Sequence, residues 1–431
     1  MNRSRKLLLL GIGIMLLILF INRVHREKFK ILSTDLEDVD KLKSEIAKQL
    51  PDSAEISAPE EDELFQLMHF KDSAGVERVL IPYKKNSSNK PLNLMVLEKS
   101  GNYWVEEERI PLVGEDFDKI VVEDITGNGS DEIMVGIKIG KSSTKGLDVY
   151  EFKDGSLEKL LNDNYEDLFV ADFDSDSIGE LILLKSNSKE KNTEINYYEY
   201  RDGKLATIDS VVLEEMEFKV DLKLEQINPD KKGLIAELET DDKKGVLSVF
   251  KVEGDNLERL NLLGKKSIEN PFFVASRDID KDGVFEFPIL KLSPGLEKED
   301  SSTWITEWYG LNEDYSQLKL VKREYTDEAN FALDFFEDWN EDIVIRRISD
   351  RDGKLEKVEF TRTTPGEVEE KLFGISIYSL DSWEDMTKES RESEEIITKS
   401  QGRVYVLESE DGEYDLESIK SRFRVLDLKE D

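Results

Sequence analysis

Residues 278–287 read DIDKDGVFEF, and the same pattern stands at 124–133 as DITGNGSDEI and at 172–181 as DFDSDSIGEL. Oxygen-bearing side chains fall at positions one, three, five and nine of each stretch. Hard cations such as calcium take six to eight oxygen ligands in flexible geometry, so one short loop of alternating acids supplies most of a site. The helix-flanked calcium loop places its bidentate glutamate at position twelve, which here is Ile289 in the third stretch. The acid comes earlier, at Glu132, Glu180 and Glu286, and leads into apolar runs such as EIMVGI and ELILLK. Such runs are β-type, so the pattern predicts a repeated β-sheet unit with the acidic loop between two strands.

Spacing supports the repeat. Asp172 lies 48 residues after Asp124, and Asp278 lies 106 after Asp172, one and two periods of roughly 50 residues. A missing copy is expected between the last two. It stands at Gln226 as QINPDKKGLI, with Gln226, Asn228, Asp230 and Leu234 at the four ligand positions. A weaker copy, FKDSAGVERV from Phe70, keeps Asp72 and Gly75. Glycine turns between apolar runs mark hairpins. Gly101, Gly155, Gly203 and Gly254 follow their loop starts by 31, 31, 31 and 28 residues. The fifth unit has a longer turn, in WYGLNEDYSQL around Tyr309. Five units are therefore expected.

Repeats of about 50 residues with an Asp-rich loop, a strand and then a hairpin resemble the FG-GAP or VCBS family, best known from the β-propeller of integrin α-subunits. The resemblance covers roughly residues 62–325. It implies a mainly β fold, a propeller of about five four-stranded blades, with each metal loop joining neighbouring strands of one blade. By motif position it implies Ca2+ at three sites. Asp124, Thr126, Asn128 and Glu132 form the first, Asp172, Asp174, Asp176 and Glu180 the second, and Asp278, Asp280, Asp282 and Glu286 the third. The residue at position seven adds its carbonyl. The first site, with fewer carboxylates, is expected to bind more weakly, and the loops at Gln226 and Phe70 are too eroded to hold a metal. Position six, where the family has the glycine of a sharp turn, is Gly129 and Gly283 in two loops but Ser177 in the middle one.

The chain has 431 residues, a net charge of −36 and no cysteine. That charge repels nucleic acid and anionic lipid surfaces, so no nucleic-acid partner is expected. Without cysteine there is neither a disulfide nor a thiolate metal or redox site.

Residues 7–21, LLLLGIGIMLLILFI, are apolar and flanked by Arg3, Arg5, Lys6 and by Arg23, Arg26, Lys28. The run is short for a span, yet no small-residue cleavage site or lipid-accepting cysteine follows. A transmembrane signal-anchor over 7–22 behind a cytoplasmic tail of residues 1–6 is expected. Calcium loops of this kind fill where calcium is abundant, which places the body on the extracytoplasmic side of the cell membrane. Residues 23–61 form a helical stalk and linker, with Leu36, Val39, Leu42, Ile46 and Leu50 at helical spacing before Pro51. Such a face is expected to pack on the body. After residue 325 the repeat fades, and residues 326–431 are expected to form a small α+β module. Part of it, NFALDFFEDWNEDIVI, is similar to a stretch in exported proteins of Gram-positive, spore-forming bacteria, and its Phe331, Phe335 and Trp339 are expected to pack in a core.

No catalytic motif stands out. The two histidines, His25 and His69, have no motif partner, and neither a Gly-rich phosphate loop nor HExxH occurs. The favoured function is a non-enzymatic binding or scaffold module for a cell-envelope protein or polysaccharide. The other reading is a carbohydrate-active enzyme using an Asp/Glu pair on the same scaffold, which only separation in space would identify.

Overall fold

The apolar runs after the acidic loops form strands, and they assemble into a mainly β structure. The computed structural model describes residues 39–426 except 53, 58, 60–67, 72–74, 86–91, 141–144, 174–175, 188–191, 214–219, 295–302, 316, 340–341, 350–354, 364–368 and 410–413. The expected signal-anchor at 7–22 lies outside the described residues. Among the described residues no helix is long and apolar enough to cross a membrane.

Among the described residues six antiparallel sheets of four or five strands follow one another in sequence, rather than the five expected. The first contains β1 (Ala54–Ile56), β2 (Met68–Lys71), β3 (Glu77–Lys85), β4 (Leu92–Ser100) and β5 (Tyr103–Pro111). The second runs β6 (Asp116–Glu123), β7 (Glu132–Lys138), β8 (Lys145–Lys153), β9 (Ser156–Tyr165). The third runs β10 (Asp167–Ala171), β11 (Glu180–Asn187), β12 (Asn192–Arg201), β13 (Lys204–Leu213). The fourth has β14 (Asp221–Asn228), β15 (Lys231–Glu239), β16 (Gly245–Glu253), β17 (Asn256–Arg259) and β18 (Ile268–Asn270). The fifth is built on β19 (Phe287–Leu292), β20 (Trp304–Leu311), β21 (Leu318–Asp327) and β22 (Phe331–Asp334). The sixth comprises β23 (Ile343–Ser349), β24 (Leu355–Arg362), β25 (Glu370–Ser379), β26 (Glu395–Ser400) and β27 (Arg403–Glu408).

The glycine turns close hairpins as expected. Asp154 and Gly155 have φ of 50° and 81°, Asp202 and Gly203 have 52° and 80°, and the paired ends are Lys153 with Ser156 and Arg201 with Lys204. Positive φ at both central residues is the tight turn whose twist matches that of paired strands. A β-bulge recurs in these hairpins, at Val96/Leu97, Val149/Tyr150, Tyr197/Tyr198 and Trp308/Tyr309. One extra residue at the same place in four hairpins bends the second strand of each alike.

Contacts divide the chain into two compact units, Met1–Leu222 with Phe250–Arg259, and Lys223–Val249 with Leu260–Asp431. In the first unit, Leu80 and Leu94 of the first sheet share a core with Ile133 and Val135 of the second. Met134 and Val149 of the second pack with Leu181 and Leu183 of the third. In the second unit, Ile227 and Ile235 pack with Phe287, and Ile305 and Tyr325 pack with Ile345, Phe360 and Phe373 of the sixth sheet. Within each unit a sheet therefore covers the next face to face. That explains why β3 and β7 are apolar and buried on both sides rather than alternating.

The periodicity at the stalk gives the helix α1 (Val39–Gln49), which lays Leu42 and Ile46 against Val79, Ile81, Tyr83 and Trp104 of the first sheet. Arg109 Nη2 donates to the Gln49 carbonyl at 2.9 Å, satisfying one of the helix's terminal acceptors.

The expected division after residue 325 falls inside β21, and the core continues across it. The chain continues beyond it into the sixth sheet, with helices α2 (Leu380–Glu384) and α3 (Lys388–Glu392) inserted between its strands. Helix α4 (Leu416–Arg422) then leads into β28 (Phe423–Val425), which returns to pair with β22 of the fifth sheet.

Candidate metal centre

The acidic stretches at Asp124 and Asp172 lie between the first and second strands of their sheets, and the one at Asp278 leads into β19. One hydrogen-bond skeleton shapes all three. The position-one carboxylate folds the loop around itself. Asp124 Oδ1 accepts from Gly127 N and Oδ2 from Gly129 N, both at 2.8 Å. Asp172 accepts from Asp176 N at 3.1 Å and Ser177 N at 3.0 Å. Asp278 accepts from Asp282 N at 3.1 Å and Gly283 N at 3.0 Å. At position five, Asn128, Asp176 and Asp282 each accept from the amide two residues on.

Position six is left-handed in all three loops, with φ of 79° at Gly129, 71° at Ser177 and 90° at Gly283. Ser177 therefore makes the glycine turn with a side chain present. A non-glycine residue there costs on the order of 1–2 kcal/mol of local strain.

The position-nine glutamates are buried, at 0%, 5% and 2% exposure for Glu132, Glu180 and Glu286. Each reaches back to the amide of position two: Glu132 to Ile125 N at 3.0 Å, Glu180 to Phe173 N at 2.6 Å, Glu286 to Ile279 N at 2.9 Å. Burial pushes the Glu132 carboxyl up to about 8, helped by the charges of Asp124 and Glu151. Burial likewise raises Glu286 to about 7, with Asp280, Asp282 and Asp278 adding to it.

Two groups of acids converge. Asp172, Asp176 and Glu180 bring carboxylate oxygens within 4.8 Å of one another, as do Asp278, Asp280 and Glu286. Three oxygen donors gathered this closely could hold a metal ion, and all-carboxylate donors suit a hard cation. Asp174 lies outside the described residues. The first loop offers two carboxylates, Asp124 and Glu132. Its Thr126 hydroxyl bonds Glu132 Oε1 at 3.2 Å, and its Asn128 amide donates to Glu151 Oε1 at 3.0 Å.

The copy at Gln226 has closed up. With Leu234 in place of the glutamate, 1% exposed, β14 runs on to Asn228 and β15 starts at Lys231, leaving a tight turn. Asn228 Oδ1 accepts from Asp230 N and Lys231 N and holds that turn.

A sixth copy went unread in the sequence. Residues 348–356, ISDRDGKLE, keep Asp350, Asp352, Gly353 and Glu356 in register, but position one is Ile348. They connect β23 and β24 of the sixth sheet, the same place as in the others. Residues 350–354 lie outside the described residues, and Glu356 is held by Arg347 at 2.6 Å. The signal was the Asp-x-Asp-Gly run followed by Glu three residues on.

No family model matches the sequence, and no curated protein matches it. Solved structures do. The exotype rhamnogalacturonan lyase YesX is 8% identical, with a TM-score of 0.31, over 79% of this chain and 88% of that one. A rhamnogalacturonan lyase of Bacillus licheniformis is 8% identical, with a TM-score of 0.29, over 76% and 82%. The β-propeller domain of the Trilobed protease from Pyrococcus furiosus is 12% identical, with a TM-score of 0.28, over 72% and 88%. Likenesses this slight carry no argument about activity.

The raised glutamates make a signed expectation for pH. Without calcium, the folded chain holds a proton on Glu286 more tightly than the unfolded chain does, whose value is near 4.5. Stability from this group is full below that value and is lost as pH rises towards about 7. Glu286→Gln, which cannot ionise, should therefore gain on the native protein between about pH 5 and pH 8 in chelator. In saturating calcium the order should reverse at high pH, because the ion needs the carboxylate. Melting curves of both proteins check this; a difference of the same sign with and without calcium would refute it.

Proposed function

We propose that this protein is a membrane-anchored, extracytoplasmic, calcium-binding β-propeller that serves as a non-enzymatic binding or scaffold module for a cell-envelope protein or polysaccharide. The observation that carries it is the loop skeleton repeated at Asp124, Asp172 and Asp278, with a buried glutamate in each and converging carboxylates in two. Six similar antiparallel sheets, stacked in sequence order within each unit, are the building pattern of propeller blades and support the resemblance to FG-GAP or VCBS repeats. In this reading Asp172, Asp176 and Glu180, with Asp174, hold one Ca2+, and Asp278, Asp280, Asp282 and Glu286 hold another. The ion supplies charge neutralisation and ties the loop down. Asp124, Thr126, Asn128 and Glu132 hold a weaker third.

Calorimetric titration of the full-length protein with calcium tests the metal. Two strong sites and one weaker are expected, with magnesium much poorer because these loops do not impose its strict octahedron. Absence of any binding would end the proposal.

The anchor is tested separately. The apolar run at 7–21 should keep the intact chain in the membrane fraction, with Lys6 and Arg23 reaching the interfaces. Protease added to intact, wall-stripped cells should digest the body. A shortened form in the medium would overturn the anchor, and protection from protease would overturn the orientation.

A further inference from the structure

The loops of the second and third sheets touch. Gly179, at position eight of the Asp172 loop, donates its amide to the carbonyl of Asp124, position one of the preceding loop, at 2.8 Å. A Cβ on Gly127 would come 2.6 Å from Ile178 Cδ1, and one on Gly179 would come 2.9 Å from Glu123 Cγ and 3.2 Å from Ile125 Cγ2. The two loops are thus seated against each other at a pair of glycines that leave no room between them.

The Asp278 loop makes the same amide bond, from Phe285 N to the Gln226 carbonyl at 2.8 Å. Its neighbour, however, is the closed turn, which keeps a single carboxylate, Asp230, and has Leu234 in place of the glutamate. Among the described residues there is therefore one pair of adjoining acidic loops, and the Asp278 loop adjoins a turn with no acidic cluster.

Resting on the calcium assignment above, we infer that the Asp124 and Asp172 loops bind calcium as a coupled pair, the second loop preparing the first, whereas the Asp278 loop binds alone. The first loop, folded by Asp124, has only two carboxylates at its ligand positions with which to hold an ion. Calcium at Asp172 and Asp176 fixes the backbone through Ser177 to Gly179, and Gly179 in turn fixes Asp124 at the head of the first loop. Ordering already done by one ligand is not charged to the next, which is positive coupling. Repulsion between the two ions works against it. Yet Asp172, Asp174, Asp176 and Glu180 outnumber the charge of one divalent ion, so the loaded second loop still attracts a cation, and both loops are screened by solvent.

The test is calcium titration of full-length variants by calorimetry. Asp278→Asn with Asp280→Asn leaves the first and second loops; adding Asp172→Asn and Asp176→Asn leaves the first alone. The first loop's affinity should fall about tenfold in that last step, within the usual range of coupling between sites. Removing the Asp278 loop should leave the other two sites unchanged. Gly179→Ala, which retains every carboxylate, should reduce the coupling, and protection of the Gly127 and Gly129 amides from hydrogen exchange on adding calcium should fall with it. Equal first-loop affinity with and without the second loop overturns the coupling while the metal assignment stands. No calcium uptake by the native protein overturns both.

Discussion

In millimolar calcium the native protein should melt well above its calcium-free form. An ion that binds the folded chain alone stabilises it by mass action, about 2.7 kcal/mol per site at one hundred times the dissociation constant. With two strong loops the sum is about 5 kcal/mol, a shift of roughly 10–20 °C for domains of this size at 2–4 °C per kcal/mol. Asp278→Ala together with Asp280→Ala should abolish about half of that calcium-dependent rise. Some loss should persist in chelator, because Asp278 also holds the amides of Asp282 and Gly283. Gln226→Ala should change little in either condition, since its side chain only donates to the Asn228 carbonyl in a turn without a carboxylate cluster. Melting unchanged between chelator and calcium would end the metal assignment. Equal effects at Asp278 and Gln226 would mean that the acids serve as turn residues only.

The candidate site was legible in the sequence because a loop of this kind is a local object. Its position-one carboxylate, its left-handed sixth residue and its buried glutamate are set within ten residues, and the structure repeats them at Asp124, Asp172 and Asp278. Even Ser177, which broke the glycine rule, adopts the backbone angle that the glycines at 129 and 283 adopt. The hairpins at Gly155 and Gly203 were legible for the same reason.

What was not legible is set by partners distant in the chain. The sixth sheet was concealed because Ile348 stands where its loop should begin with Asp, and because α2 and α3 are inserted between its strands. Strand β28 is three residues long and carries no pattern of its own. It is fixed by pairing with Phe331–Leu333 and by Arg424, which forms ion pairs with Glu324 and Asp334. The pairing of the two acidic loops through Gly179 was likewise invisible, since nothing in either loop's sequence says which carbonyl its eighth amide will meet.

Replacing Trp339 with alanine should be the most damaging single change in the second unit. The acidic stretch around it could have marked a surface, but the indole is 2% exposed and sits among Phe335, Phe336, Phe360, Phe373 and Tyr414, with ring centroids 5.0 to 6.0 Å away. Those rings come from the turn after β22, from the sixth sheet, and from the segment before α4, so one side chain ties together three parts of the chain that are far apart in sequence. Truncating a buried tryptophan costs about 3–5 kcal/mol, transfer and cavity together. It would also remove the Nε1 donor to the Tyr414 hydroxyl at 3.1 Å. Tyr414→Phe removes that bond together with the 3.4 Å bond from Arg362 Nη2, keeps the ring, and should cost about 0.5–1.5 kcal/mol per bond. Denaturant unfolding of both variants in saturating calcium separates the two contributions. A loss below about 1 kcal/mol for Trp339→Ala would show that the sixth sheet is held to the fifth by something other than this aromatic cluster.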